Sequence, residues 1–364
     1  MEKWFAFHHG MSIIPHVMKK DAGAVSLRSI ARKTGFSVPT VVQVLGTRGH
    51  LYKESTRQRV LAAANEMGYR PNTSARAMRS GRFNGVGLLL STNSDRSHLP
   101  VGLLEGIQAG LAGGDMHLSL SPLPDEKLTS GEIPKIVRQQ MVDGLLINYT
   151  DHIPSRLIEL IADHQIPSIW LNTDRADDAI RPDDYGASKR ATEALLQLGH
   201  RSIWYVDYHN SHGDVASHYS AGHRYLGYAD AMQAASIEPH AIWENESLKP
   251  KDRIAQAAKW IQKEDRPTAV VCYSPWTAMP VLLAATTLCG LRVPGDLSIV
   301  TFSDQMFGDI GVSMSTMLIP EAELGKQAGE MLMTKIEEPE RKLATRVLPF
   351  VFDAGDTRGP PRAK

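Results

Sequence analysis

Between residues 25 and 70 apolar positions recur every three or four residues, and beyond residue 84 they gather into short uninterrupted runs. In the first region Leu27, Ile30 and Ala31 share one stripe of a helix over 27–34, with Ser26 as N-cap and Gly35 as a left-handed stop. Ser37 can cap a second helix, VPTVVQVL, in which Pro39 falls in the first turn, where a missing N–H costs little. Its spacing turns Val41, Val44 and Leu45 inward and leaves Val38, Pro39, Thr40 and Gln43 facing out. A third helix is predicted over 55–67, with a Ser55/Gln58 capping box, a Gly68 stop and an apolar stripe of Val60, Leu61 and Ala64. Two short helices joined by a Gly-containing turn make a helix-turn-helix, a unit whose second helix enters the major groove of duplex DNA. After Tyr69, Pro71 interrupts the chain, and Asn72 can cap a short helix whose one large apolar side chain is Met78. A helix that short is marginal in water and needs a partner or a groove to order it.

From residue 84 onward the pattern changes. GVGLLL (85–90), HLSLSPL (117–123), GLLIN (144–148), PSIWLN (167–172), SIWYV (202–206), AVVCY (269–273) and SIVTF (298–302) read as buried parallel strands. Helical stretches such as GLLEGIQAGLAGG and ASKRATEALLQLGH lie between them. Strand–helix alternation on this scale predicts doubly wound α/β sheets. Glycines at 102, 106, 110 and 114 recur every four residues, a spacing suited to close packing of a helix on a sheet.

The charge distribution sharpens the picture. The chain has 364 residues and zero formal net charge, but residues 25–82 hold eleven Lys and Arg against two acids, Glu54 and Glu66. That segment is strongly positive and the remainder compensates, as expected of a compact unit that binds a polyanion. Two cysteines, Cys272 and Cys289, rule out a disulfide scaffold and suit a reducing compartment. No run approaches the roughly 20 apolar residues of a membrane span, and residues 1–24 lack the pattern of a signal peptide. A cytoplasmic protein with no membrane partner is the expectation.

The string VSLRSIARKTGFSVPTVVQVLGTRG followed by STRQRVLAAANEMGYRPNTSARAMRSGR resembles the headpiece of the lactose-repressor (LacI/GalR) family of bacterial transcription regulators. VDGLLIN, DDYGASKRATEALLQLGH, AGHRYLGYADAM and GLRVPGDLSIVTFSD extend the resemblance along the body. It implies an all-α helix-turn-helix headpiece (25–70) and a hinge helix with linker (71–83), preceded by a flexible extension (1–24). An α/β periplasmic-binding-protein-like body of two doubly wound subdomains (84–356) and a tail (357–364) would follow. The implied subdomains are about 84–178 with 307–341, and about 179–305 with 342–356. The implied function is a repressor that binds double-stranded operator DNA as a homodimer and answers to a small-molecule effector, a sugar or related metabolite.

The same resemblance nominates site residues. Ser37, Val38, Pro39, Thr40 and Gln43 would face the major groove, and Asn72, Ala75 and Met78 the minor groove, with Met78 as an apolar wedge. Where the family usually carries Ser-Arg this chain has Val42-Gln43. Arginine reads guanine O6 and N7 whereas glutamine suits adenine N6 and N7, so a different contacted base is expected. The loop LGTRGHLYKES is about one residue longer than the commonest pattern. For the effector, Arg224 stands in the pattern Arg-x-x-Gly-Tyr, with Trp276 and Ser303 at altered family ligand positions and Asp304 retained. Asn93, Tyr149 and Asn172 are candidates because they follow strands whose carboxyl ends border ligand sites in open α/β sheets. Trp276 could stack on a sugar ring or pack in the core.

Enzyme readings find little support. Gly85-Val-Gly87 lacks the third glycine of a dinucleotide fingerprint and lies inside a strand, and no GxxxxGK[ST] loop occurs. His8, His9, His209, His212 and His218 show no zinc-ligand spacing. No cofactor and no metal are expected. A binding protein for transport or sensing without a DNA role is the alternative; it calls for an export signal and no basic headpiece.

Overall fold

The computed structural model describes residues 25–46, 48–70, 82–92, 97–114, 116–124, 142–149, 153–208, 218–243, 249–306 and 311–362. The chain divides into a small unit up to Arg76 and a large one from Ala77.

The small unit is built from α1 (Leu27–Thr34), α2 (Val38–Val44) and α3 (Glu54–Glu66). Ser26 and Ser29 form a reciprocal capping box on α1, and Gly35 ends it at φ 72°. Ser37 caps α2 by accepting from the Thr40 amide, with Pro39 in the first turn. Ile30, Val41 and Val60 are fully buried where the three helices meet, with Ala31, Val44, Ala63 and Ala64 around them. Two details differ from the sequence-based expectation. Ala63 takes the inward place expected of Leu61, which is only partly buried. The Ser55/Gln58 capping box is not formed, because α3 starts one residue earlier. Glu54 sits in its first turn, where the helix dipole favours an anion, and accepts from Gln58 Nε2 at 2.6 Å.

The large unit holds two six-stranded sheets. Its strands are β1 (Gly85–Ser91), β2 (His117–Leu123), β3 (Gly144–Asn148), β4 (Ser168–Leu171), β5 (Ala179–Pro182), β6 (Ile203–Val206), β7 (His240–Ile242), β8 (Ala269–Cys272), β9 (Ser298–Ser303), β10 (Ser315–Leu318), β11 (Arg346–Leu348) and β12 (Val351–Asp353). The helices are α4 (Val101–Leu111), α5 (Ser155–Asp163), α6 (Asp184–Gln197), α7 (Tyr219–Ala234), α8 (Arg253–Ile261), α9 (Pro275–Leu283) and α10 (Glu321–Glu337). The first sheet runs β11-β5-β4-β3-β1-β2 and the second β12-β10-β9-β8-β6-β7. All pairings are parallel except that of β10 with β12. The central strands β3, β4, β6, β8 and β9 are buried along their whole length, as their continuous apolar runs require. The edge strand β2 is instead largely open, with Leu123 buried at its end and Leu120 exposed.

The chain crosses between the halves later than the resemblance implies. β5 (179–182) lies in the first sheet, so the first crossing follows Pro182 rather than residue 178. β10 (315–318) belongs to the second sheet, which moves the return to the Ile319–Pro320 step instead of residue 306. β11 (346–348) then pairs with β5 before the last crossing, so that crossing is not at 341. Each crossing therefore falls directly after a strand: β5, β10 and β11 in turn.

The four-residue glycine repeat serves helix–helix rather than helix–sheet packing. α4 lies against α10, where Gly325 and Gly329 meet Gly106 and Gly110 backbone to backbone.

Candidate functional site

On the small unit, α2 shows an outer face. Pro39 is exposed; Thr40 and Gln43 are partly exposed; Val38 leans onto the core. Ser37 is held locally: its hydroxyl caps the Thr40 amide at 3.2 Å and lies 2.8 Å from Thr40 Oγ1. The loop after α2 turns through a short 3-10 segment, Gly49–Leu51, which delivers Tyr52 onto α2. Tyr52 then donates its hydroxyl proton to Gln43 Oε1 at 2.6 Å. Asn72, Ala75 and Met78 lie outside the described residues.

In the large unit both sheets share the order 2-1-3-4-5 when strands are counted within each half, giving switch points between β1 and β3 and between β6 and β8. Open α/β sheets bind ligands beyond the carboxyl ends of strands at such points. Here those ends come together across the two halves. His98 Nε2 lies 3.1 Å from Asp304 Oδ2 at the end of β9. Tyr219 donates to Asn172 Oδ1 at 2.8 Å, and His218 Nε2 lies 3.1 Å from the Asn172 carbonyl. Asn172 itself adopts the left-handed conformation, φ 51°, which asparagine tolerates. Buried Asn148 donates to the His98 carbonyl at 2.7 Å. His98, Asn148, Asn172 and Glu321 line a cavity of about 40 Å³, enough for water but about a tenth of what a small-molecule pocket needs. Its lining belongs wholly to the first half, beside the place where that half meets Asp304, His218 and Tyr219 of the second. A wider hollow of about 610 Å³ lies at the opposite, amino ends of β4 and β5, where Lys335 pairs with Asp178 at 2.9 Å and Arg175 stacks on Trp170.

The nominated residues divide sharply. Asp304 and Asn172 stand in the junction. Ser303 is buried and serves its own turn, accepting from the Gln305 amide at 3.1 Å. Tyr149 is fully buried and donates to the Leu123 carbonyl at 2.8 Å, which makes it a core residue rather than a ligand contact. Trp276, at the start of α9, is 70% exposed, so core packing does not account for it. Arg224 is 7% exposed; its Nε lies 2.7 Å from Asp184 Oδ1 and its Nη1 donates to the Tyr273 carbonyl at 2.6 Å. The rings of Phe302 and Tyr273 flank its guanidinium at 4.6 and 4.7 Å. Asn93 lies outside the described residues. His98, Asn148 and Glu321 were not singled out from sequence. His98 lies in a loop, Asn148 ends β3 and Glu321 opens α10, so what joins them is the meeting of segments that stand far apart in the chain.

The junction is also a titrating cluster. The Asp304 hydrogen bond raises His98 above its ordinary 6.5, and the same bond lowers Asp304. Burial, reinforced by the Asp304 charge, pushes Glu321 up from 4.5 to about 7. The folded body therefore binds an extra proton on Glu321 between about pH 4.5 and 7, and this contribution to stability is lost as pH rises through that window. His98 adds a loss in the same direction as pH rises past 6.5, whereas Asp304 matters only in acid below its ordinary 3.8. The body should accordingly melt lower at pH 8 than at pH 5.5, and Glu321→Gln should shrink that difference. Thermal unfolding at the two pH values checks this; an unchanged difference in the variant would mean Glu321 does not carry the effect.

Comparison with known proteins agrees with this geometry. Residues 26–72 match the family described as bacterial regulatory proteins, lacI family, and residues 192–357 match the periplasmic binding protein-like domain. The HTH-type transcriptional regulator RegA of Clostridium saccharobutylicum is 28% identical over 330 residues, covering 87% of this chain and 94% of that protein. The ribose operon repressor of Haemophilus influenzae is 28% identical over 330 residues, covering 89% and 95%. Among solved structures, the lac repressor dimer bound to operator and the anti-inducer ONPF superposes with a TM-score of 0.72 at 22% identity, covering 92% of this chain and 99% of that one. The chain belongs to the LacI family of bacterial regulatory proteins. Its two-sheet body is the family's periplasmic-binding-protein-like domain, and its three-helix unit is the family's helix-turn-helix domain. Among the described residues no helix is long and apolar enough to cross a membrane, and no cluster of His, Cys, Asp or Glu could hold a metal ion.

Proposed function

We propose that this LacI-family member is a cytoplasmic transcriptional repressor that binds a near-palindromic operator as a homodimer and is controlled by a small-molecule effector. The observation that carries the DNA reading is the outer face of α2, with Pro39, Thr40 and Gln43 presented from a segment of strongly positive charge. The effector, a sugar or related metabolite, would bind where the carboxyl ends of the two sheets meet. Asn172, His98, Asp304 and Glu321 are the nearest polar groups there. Binding that changes the relative angle of the halves would be linked to operator affinity through one coupling free energy, typically ~1–3 kcal/mol. Its sign depends on which state the effector prefers.

Selection of bound duplexes from a random pool tests the first part. One symmetric motif should emerge, and binding should weaken with salt at a log–log slope near −0.9 per phosphate neutralised. Gln43→Ala should cost about 1–3 kcal/mol of discrimination at a single base position in each half-site. A salt-insensitive interaction, or a motif indifferent to Gln43, would refute this reading. A thermal-shift screen of sugars and nucleobases on the full chain identifies the effector class.

A further inference from the structure

Two departures of the small unit from its family pattern meet in one hydrogen bond. Position 43 carries glutamine instead of the usual arginine, and the loop that follows is about one residue longer. The loop closes against α2 because Gly49 is buried there: a Cβ at Gly49 would stand 2.7 Å from the Val44 carbonyl oxygen. The Tyr52 amide donates to the Gly49 carbonyl at 3.2 Å, and the Tyr52 ring packs onto the helical core. The ring is thereby fixed at its base and along its side, and its hydroxyl reaches Gln43 Oε1 at 2.6 Å.

We propose that Tyr52 is the residue that sets the base specificity of Gln43, acting as a positioning group rather than a DNA contact. This rests on the reading of Gln43 as the base-reading side chain. A glutamine amide has two faces, an acceptor oxygen and a donor NH₂, and a free side chain can turn either one toward a given base edge. Adenine recognition requires both in a set order, with NH₂ toward N7 and oxygen toward the N6 amino group. The Tyr52 hydroxyl can donate to one lone pair of Oε1 and so holds the amide in one of its two flips. The second lone pair and both N–H donors remain for the base. Tyr52 also orders a side chain with several free torsions before DNA arrives, which sharpens discrimination without touching the duplex.

The test is selection from a random duplex pool with the full-length protein and its Gln43→Ala, Tyr52→Phe and Tyr52→Leu variants. Tyr52→Phe keeps the packing ring and removes only the hydroxyl. It should reduce discrimination at the same base position that Gln43→Ala affects, by about two- to tenfold, and leave preferences at the other positions intact. Tyr52→Phe added to Gln43→Ala should change nothing further at that position. Tyr52→Leu, which also removes ring packing, reports how far a folding defect alone moves the motif: a purely structural role lowers affinity evenly across sequences. If Gln43→Ala alters one position and Tyr52→Phe leaves it unchanged, the positioning role is overturned while Gln43 stands as the reader. If Gln43→Ala alters no position, both fall together.

Discussion

Arg224→Met should lower the melting temperature of the ligand-free protein by roughly 6–15 °C, whether or not any effector is present. The reason lies in what the guanidinium holds. Asp184, the first residue of α6, has no solvent exposure, and the Nε of Arg224 is 2.7 Å from its Oδ1. Arg224 simultaneously donates to the Tyr273 carbonyl, just past β8, and lies between the Tyr273 and Phe302 rings. One side chain on α7 thus ties the start of α6 to the ends of β8 and β9. α7 comes close enough because Gly227 faces the Tyr185 carbonyl, where a Cβ would stand at 2.2 Å. Methionine fills most of the space but leaves Asp184 charged and unpaired in a dry setting, and breaking a buried pair this way costs about 3–5 kcal/mol.

Asp184→Asn combined with Arg224→Met removes both charges and should recover part of that loss, so the two changes should fall short of additive by about 1 kcal/mol or more. The family resemblance assigns Arg224 a grip on ligand hydroxyls. These roles separate cleanly in one measurement. If Arg224 served only the ligand, Arg224→Met would leave the ligand-free melting temperature where it was and abolish only the shift produced by an effector. A wild-type melting temperature in the single variant would therefore sink the structural assignment.

What could be read from the sequence depended on whether the deciding contact was local. Caps and stops at Ser26, Gly35 and Ser37 are local, and the structure places them as the spacing requires. The central strands were legible because burial on both faces forces continuous apolar runs. β5, β7, β10, β11 and β12 lack the longer apolar runs of the central strands, none holding more than two apolar residues in a row, and AIRP or RVL becomes a strand only because a neighbouring ladder is there to extend. That is also why the points where the chain crosses between halves were misplaced. The candidate ligand residues fared according to the same rule. Asn172 and Asp304 follow strands and reach the junction. Tyr149 also follows a strand, but its hydroxyl has a carbonyl partner 26 residues away in the chain, and that contact keeps it in the core. The partners of Arg224 lie 40 and 49 residues from it. No spacing rule along a chain reports a pairing at such distances.

Gly106→Ala should be among the most damaging single-methyl additions in the body, destabilising it by about 3 kcal/mol or more. On helix propensity alone the change is favourable, by about 1 kcal/mol for a glycine inside a helix. Packing reverses the sign. A Cβ at Gly106 would stand 2.0 Å from the Ala322 carbonyl oxygen and 2.9 Å from the Lys326 amide nitrogen, both backbone atoms of α10. A Cβ at Gly110 would stand 2.2 Å from the Lys326 carbonyl oxygen, so the next glycine in the row meets the same wall. No rotamer change relieves a clash between a methyl group and a helix backbone; α4 and α10 must separate. Parting them opens gaps beside Leu103, Ile107, Leu324 and Ala328, which are buried between the helices and the first sheet. Gly102→Ala and Gly113→Ala supply the controls. Position 102 has its nearest neighbour at 3.4 Å and position 113 has none within 4 Å. Thermal and urea unfolding of the four variants should leave these two near wild type and shift Gly106→Ala and Gly110→Ala strongly downward. Four equal shifts would mean that the glycine row answers to local helix conformation rather than to the contact with α10. Because Glu321 opens α10, a displaced helix should also disturb the carboxylate beside His98 and Asp304, and Gly106→Ala should weaken the pH dependence of melting along with the melting temperature itself.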